Sequence, residues 1–187
     1  KEEQAGGGGG AAAAAAAVEE KREAQRVSVK SVEAEEHKNR GNAAFKAGKY
    51  TSAVRHYSAA IDLEEGSALL HTNLAAAHAA LKDFGNALKM ASKATRLDAG
   101  YAKGFYRKAQ ALQGLGRLEE AVEAFDSGLA LLPESRQMIE GRLAAVEGLA
   151  AQKAAPAAAL ATIKEKVKEE AERQARQLKA AAAGGGG

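Results

Sequence analysis

Cysteine is absent from this chain of 187 residues, and histidine occurs only four times. Without cysteine there is no disulfide framework, no thiol nucleophile and no thiolate metal site. The four histidines leave few possible ligands for a His-based metal centre. We therefore expect neither a metal ion nor a cofactor.

Long apolar runs and a strong charge imbalance are also missing. The longest apolar run, Ala11–Val18, is too short to span a bilayer. Lys and Arg number 27 against 24 Asp and Glu, and a net charge of +3 is too small to indicate a nucleic-acid binder. Neither nucleic acid nor a membrane is expected as a partner. The sequence leaves the compartment open, the cytoplasm being our expectation.

The few aromatic residues locate the folded part of the chain. All eight lie between Phe45 and Phe125, whereas both ends are rich in Gly and Ala. Such low-complexity ends bury too little apolar surface to offset the entropy of the chain. We therefore expect residues 1–33 to be a low-complexity and charged tether, in which 18–33 forms at most a frayed helix.

An internal repeat of 34 residues organises the middle of the chain. Units 34–67, 68–101 and 102–135 align without a gap, and a slot is a position counted from the first residue of its unit. Small residues in slots 8, 20 and 27 let two antiparallel helices, A and B, approach closely. Each unit is therefore predicted to be a helix pair, and stacked pairs hide their apolar faces. The small residues are Gly41, Ala75, Ala109, Ala53, Ala87, Ala121, Ala60, Ala94 and Gly128.

Turns and the segments after the repeats complete the predicted organisation. Turns are expected at 47–49 and 115–117, where Gly48 and Gly116 end one helix before the next begins. Residues 136–155 are expected to form a capping helix on the last pair. Residues 156–187 are expected to form a charged amphipathic helix, at Ala157–Lys179, and a Gly/Ala tail. The apolar stripe of that helix suits docking on the solenoid and a short coiled coil equally well.

The period and the small-residue pattern resemble the tetratricopeptide repeat over residues 34–135. The resemblance implies an all-α solenoid of three helix-turn-helix repeats, a right-handed superhelix whose A helices line a concave groove. One departure is in slot 32, where Glu65 and Ala99 replace the proline that is usual in the family and only Pro133 keeps it. This departure leaves the ends of the first two B helices open.

Slots 2, 5, 6 and 9 of the A helices form a stripe with i, i+3, i+4, i+7 spacing, opposite the small-residue slots. This stripe is expected to face the groove. Its lysine and arginine side chains are charge-assisted hydrogen-bond donors, and its asparagine amides are neutral donors. Together they suit an anion with more than one oxygen group. The slots hold Glu35, Lys38, Asn39 and Asn42 in the first unit, Leu69, Thr72, Asn73 and Ala76 in the second, and Lys103, Tyr106, Arg107 and Gln110 in the third.

Five of these residues resemble the two-carboxylate clamp of tetratricopeptide co-chaperones. Those proteins hold the Glu-Glu-Val-Asp tail of the seventy- and ninety-kilodalton heat-shock chaperones. The resemblance implies that Lys38, Asn42 and Asn73 grip the terminal main-chain carboxylate, and that Lys103 and Arg107 bind the aspartate side chain and the strand near it. Ala76 and Ala79, one turn apart, would leave space for the valine. The implied partner is a chaperone C-terminal peptide, with other proteins of a larger complex as further candidates.

Two other functions are alternatives to a chaperone-binding adaptor. An enzyme is disfavoured because His37, His71 and His78 occupy packing slots, and His56 has no Ser, Cys or carboxylate arranged around it in the sequence. The competing hypothesis is a structural scaffold, in which the groove or the C-terminal helix holds one subunit of a large assembly. The sequence does not separate adaptor from scaffold.

Overall fold

The computed structural model describes residues 9–153 together with 162–170, 172–173 and 176, and it describes side chains from residue 18 onwards. Within these ranges the chain forms helices joined by short turns, so the predicted all-α class is confirmed. None of the described helices has the length and apolar character that a membrane crossing requires. The helices are α1 (Gly9–Lys46), α2 (Tyr50–Leu63), α3 (Ala68–Ala80), α4 (Phe84–Leu97), α5 (Ala102–Gly114), α6 (Leu118–Leu131) and α7 (Arg136–Gln152).

The helix boundaries recur with the period of the sequence. The B helices α2, α4 and α6 begin at Tyr50, Phe84 and Leu118, and each ends at the leucine in slot 30 of its unit. The backbone N–H that follows each B helix donates to the carbonyl of the small residue in slot 27, at 2.9–3.0 Å. Because this bond is the same in all three units, the first two B helices end where the third does without a following proline.

Small residues hold the helix pairs together as the sequence predicts. All nine predicted small residues are buried. Gly41 shows why size matters, because a Cβ atom there would lie 2.6 Å from Cε1 of Tyr57. Neighbouring helices pack in chain order, and α3 also contacts α5 across the A layer. Close packing of this kind positions the A helices side by side.

The N-terminal segment differs from the expected tether. Residues 9–33 are helical and continue without a break into the first A helix. Alanine is the strongest helix former, and the run at 11–17 has nothing but alanine. Ion pairs of Glu19 with Arg22 and of Glu23 with Arg26, spaced i, i+3, add support. Every side chain from 18 to 33 is exposed, so this part of α1 adds nothing to the core.

The C-terminal side of the repeats is covered by α7, which packs on α6 and α5. Residues 162–170 are also helical, and Nζ of Lys164 lies 2.8 Å from Oε1 of Glu147 on α7. This ion pair brings the segment next to α7, and docking and a coiled coil both stay predictions for the whole C-terminal helix. Most of the rest of the predicted helix Ala157–Lys179, and the tail after it, lie outside the described residues.

The turn between α3 and α4 offers a test of the repeat geometry. Lys82 has φ 59°, in the slot where the other two units place Gly48 and Gly116 with φ 71° and 73°. A side chain in this left-handed region is strained, and glycine is not. We expect Lys82→Gly to raise the free energy of unfolding by about 0.5–1 kcal/mol, measured by urea denaturation. Lys82→Ala keeps the strain, so an equal gain in both variants would contradict this explanation.

Candidate functional site

The A helices α1, α3 and α5 together form a cavity of about 180 Å³. Helix α1 contributes its last turns, α3 its middle and α5 one long side chain, and Tyr57 of the B helix α2 reaches the cavity as well. A hydrogen bond between Asn73 and Asn42 joins α3 to α1 at this point. The walls therefore combine residues that are far apart in sequence. They are Asn42, Phe45, Lys46, Tyr57, Asn73, Ala76 and Arg107.

A shared acceptor links the two asparagines and a tyrosine. The hydroxyl of Tyr57 donates to Oδ1 of Asn42 at 2.8 Å, and Nδ2 of Asn73 donates to the same oxygen at 3.5 Å. Burial raises the pKa of the Tyr57 hydroxyl, which therefore stays protonated and remains a donor. Nδ2 of Asn42 has no acceptor in the part of the chain that is described. It is a donor available to a ligand.

Arg107 supplies the positive charge at the centre of the site. Its Nη1 donates to Oε1 of Gln110 at 2.7 Å, and Nε2 of Gln110 donates to the Tyr106 hydroxyl at 3.0 Å. Its guanidinium carbon lies 5.4 Å from the centre of the Tyr106 ring. Burial lowers the pKa of Arg107, and among the described residues the charged or polar groups that influence this pKa are tyrosines and not carboxylates. Arg107 is thus a largely desolvated cation that an incoming carboxylate could pair with.

A second and larger cavity, of about 550 Å³, adjoins the first and shares Phe45, Ala76 and Arg107 with it. Ala76 and Ala79 stand one turn apart on α3 and keep this space open because their side chains are small. The other walls are aromatic, aliphatic or neutral amide, so the cavity suits an apolar side chain next to the charged site. They are Ala80, Phe84, Gln110, Gln113 and Gly114.

The two predicted lysines lie outside the walls of both cavities. Nζ of Lys38, one turn before Asn42 on α1, donates to Oε2 of Glu35 at 2.6 Å. The hydrogen bond from Lys38 holds the pKa of the Glu35 carboxyl below its usual range. Lys103 is exposed in the first turn of α5, one turn before Arg107. The structure therefore brings Asn42, Asn73, Ala76, Ala79 and Arg107 together and leaves the lysines beside them on the same helices.

The prediction from slots 2, 5, 6 and 9 did not include several residues that line the cavities. Phe45, Lys46, Gln113 and Gly114 occupy slots 12 and 13, which continue the groove stripe by one more turn beyond slot 9. Extending the i, i+3, i+4 pattern would have found them. One predicted groove residue is corrected, because Thr72 is buried and its hydroxyl donates to the carbonyl of Ala68 at 2.8 Å.

The histidines make contacts within the fold. Nδ1 of His71 donates to the carbonyl of Ser67 at 2.9 Å, and Nδ1 of His78 lies 3.0 Å from Oδ2 of Asp83. The rings of His37 and His56 have centroids 5.8 Å apart, and burial, together with His37, lowers the pKa of His56. Among the described residues no three potential ligands form a metal-binding group.

Stacked helix pairs with this groove define a helical-repeat solenoid. Family models described as "TPR repeat" and "Tetratricopeptide repeat" match residues 41–82 and 102–134. The chain belongs to the tetratricopeptide repeat family, as the resemblance in its sequence predicted.

Similar proteins include a heat shock protein homolog and an Hsp70-Hsp90 organizing protein. The heat shock protein sti1 homolog of Schizosaccharomyces pombe is 41% identical over 124 residues, which are 66% of this chain and 21% of that protein. The chain spans about a fifth of the length of the curated relatives it matches.

Several of the similar solved structures contain bound chaperone peptides. The first TPR of Spaghetti (RPAP3) bound to the HSP90 peptide SRMEEVD is 32% identical, with a TM-score of 0.62 over 64% of this chain and 95% of that one. The second TPR domain of human RPAP3 in complex with the HSP70 peptide SGPTIEEVD is 32% identical, with a TM-score of 0.59 over 64% and 97%.

Proposed function

We propose that this protein is a chaperone-binding adaptor that grips the acidic Glu-Glu-Val-Asp C-terminus of a seventy- or ninety-kilodalton heat-shock chaperone. One observation carries the proposal. The walls of the smaller cavity contain two amides, two cations and a tyrosine hydroxyl, but no carboxylate. Such a donor-rich, acid-free cavity fits an anionic chain end. The peptides bound by the two similar structures both end in EEVD, which supports the same assignment.

Each clamp residue receives a role by this proposal. Asn42 and Asn73 donate to the terminal main-chain carboxylate, and Lys38 approaches it from the preceding turn of α1. Arg107 binds the aspartate side chain, with Lys103 adding charge at the rim.

Ala76 and Ala79 leave room in the larger cavity for the valine, whose apolar side chain matches the walls. The site binds and performs no catalysis, and it needs no metal or cofactor.

The expected affinity is moderate. A hydrogen bond to a charged group contributes about 1.5–3 kcal/mol. Ordering a flexible tail opposes that gain, because each immobilised side chain loses rotamer freedom. We therefore expect a micromolar dissociation constant. Such an adaptor would act in the cytoplasm, where it meets the chaperone tails.

A competition pull-down tests the adaptor against the scaffold. The full chain is used as bait for a purified heat-shock chaperone, with and without an excess of the free-acid peptide SRMEEVD. The adaptor hypothesis expects the chaperone to be captured and then displaced by the peptide. Capture that persists in excess peptide would favour the scaffold, which holds its partner through another surface. No capture at all would overturn the proposal.

Glu35 offers a gain-of-affinity test. In the free protein the Glu35 carboxylate forms an ion pair with Lys38. It would therefore compete with the carboxylate of the peptide for this lysine. Glu35→Gln removes the negative charge and keeps the size of the side chain. We expect it to tighten binding of the free-acid peptide about twofold to threefold, the scale of an exposed ion pair. Glu36→Gln on the same helix, which frees Arg40 outside the groove stripe, is the matched control and should change nothing.

A further inference from the structure

Tyr57 differs from its counterparts in the other repeats by carrying a buried hydroxyl. It occupies slot 24 of the first unit, where the third unit has Phe125 and the second has Ala91. Both aromatic rings are buried and pack in the core of their helix pair. Packing in this slot therefore does not need a hydroxyl, because Phe125 and Ala91 are buried there without one. The hydroxyl of Tyr57 reaches the smaller cavity, where it meets Asn42.

The hydrogen bond from Tyr57 decides which way the Asn42 amide points. An asparagine amide has one accepting end and one donating end, and only its hydrogen-bond partners distinguish them. If the amide were reversed, the buried Tyr57 hydroxyl would face a donor and would have no acceptor among the described residues. Buried donors without acceptors are costly. Asn73 adds a second donor to the same oxygen and favours the same orientation.

We propose that Tyr57 is a positioning residue of the groove, whose hydroxyl holds the Asn42 amide with Nδ2 directed at the bound carboxylate. The inference rests on the proposed function and adds a specificity element to it. With Oδ1 held by Tyr57, a carboxylate meets a donor at Asn42. With only the longer hydrogen bond from Asn73 to hold it, the amide would turn over part of the time, and the carboxylate would then meet a repelling oxygen. Tyr57 acts through Asn42 and does not touch the ligand in this role.

The test compares Tyr57→Phe with the matched control Tyr50→Phe, which removes a hydroxyl from the same helix away from the two asparagines. The free-acid peptide SRMEEVD is titrated into the full chain by calorimetry. We expect Tyr57→Phe to weaken binding about fivefold, the effect of one lost hydrogen bond. Tyr50→Phe should bind like the wild type. The melting temperature of each variant shows whether the fold is affected, and Phe125 indicates that phenylalanine is tolerated in this slot.

A double-mutant cycle separates positioning from a general packing effect. In an Asn42→Ala background the Tyr57 hydroxyl has no amide to hold, so Tyr57→Phe should cause no further loss. An equal loss with and without Asn42 would show a packing effect and overturn the positioning role. Wild-type affinity in Tyr57→Phe would overturn it as well, while leaving the proposed function intact. Failure of the wild type to bind the peptide would instead reject the proposed function.

Discussion

Arg107→Ala should weaken binding of a free-acid Glu-Glu-Val-Asp peptide about thirtyfold or more, measured by calorimetry. Removing one partner of a buried charge pair costs about 2–5 kcal/mol, and each 1.4 kcal/mol is a factor of ten in affinity. Arg107 lines both cavities, so in the proposed complex it would contact two parts of the peptide. The free protein should lose little stability, because the variant gives up the hydrogen bond to Gln110 and the contact with Tyr106 but no longer buries an unpaired charge.

Two further variants sharpen this expectation. Arg107→Lys keeps the charge but loses the planar, two-pronged donor, so its affinity should lie between those of the wild type and the alanine variant. Arg96→Ala removes an exposed arginine from the end of α4 and is the matched control. An unchanged affinity in Arg107→Ala, or an equal loss in Arg96→Ala, would show that the groove does not use Arg107.

Phe125→Ala should lower the free energy of unfolding by about 3–5 kcal/mol, the range for removing a fully buried phenylalanine. The Phe125 ring on α6 is fully buried and packs with Leu112 of α5 and Met138 of α7. Because each repeat in a solenoid contacts only its neighbours, and Phe125 shares its core with residues of α5 and α7, the loss should loosen these two helices together. Peptide affinity should fall at temperatures where α5 begins to unfold, since α5 carries Arg107.

Chemical denaturation monitored by circular dichroism measures this loss. Phe125→Leu fills most of the same space and should cost less than about 1.5 kcal/mol. A loss below 1 kcal/mol in Phe125→Ala would mean that the third repeat is not held by this core. Equal losses in the two variants would also contradict the account, because the cost should follow the size of the cavity that is left.

The period and the small residues were enough to predict the fold from the sequence. Gly41 and Ala75 had to be small because helices meet there, and the structure buries both. A frayed helix was predicted at 18–33, but not the helix at 9–17, because low burial says nothing of the intrinsic preference of alanine for helix. A segment that makes no contacts with the core can still be helical when the helix propensity of its residues is high.

The candidate site was predictable where one helix face carried it. Asn42, Asn73 and Arg107 were placed by helical periodicity, and the structure brings them to one cavity. Tyr57 could not be found this way, because it belongs to a B helix and reaches the groove across the helix pair. Thr72 was misplaced because periodicity gives a direction but not the neighbours that cover it.

The central claim is that the groove binds the free carboxylate at a chain end. Calorimetry with two versions of the peptide SRMEEVD, one with a free C-terminal acid and one amidated, tests it most directly. Amidation removes one charge and one oxygen and leaves every side chain in place. The account predicts a micromolar dissociation constant for the free acid and binding at least about tenfold weaker for the amide. Equal affinity for the two peptides would contradict it.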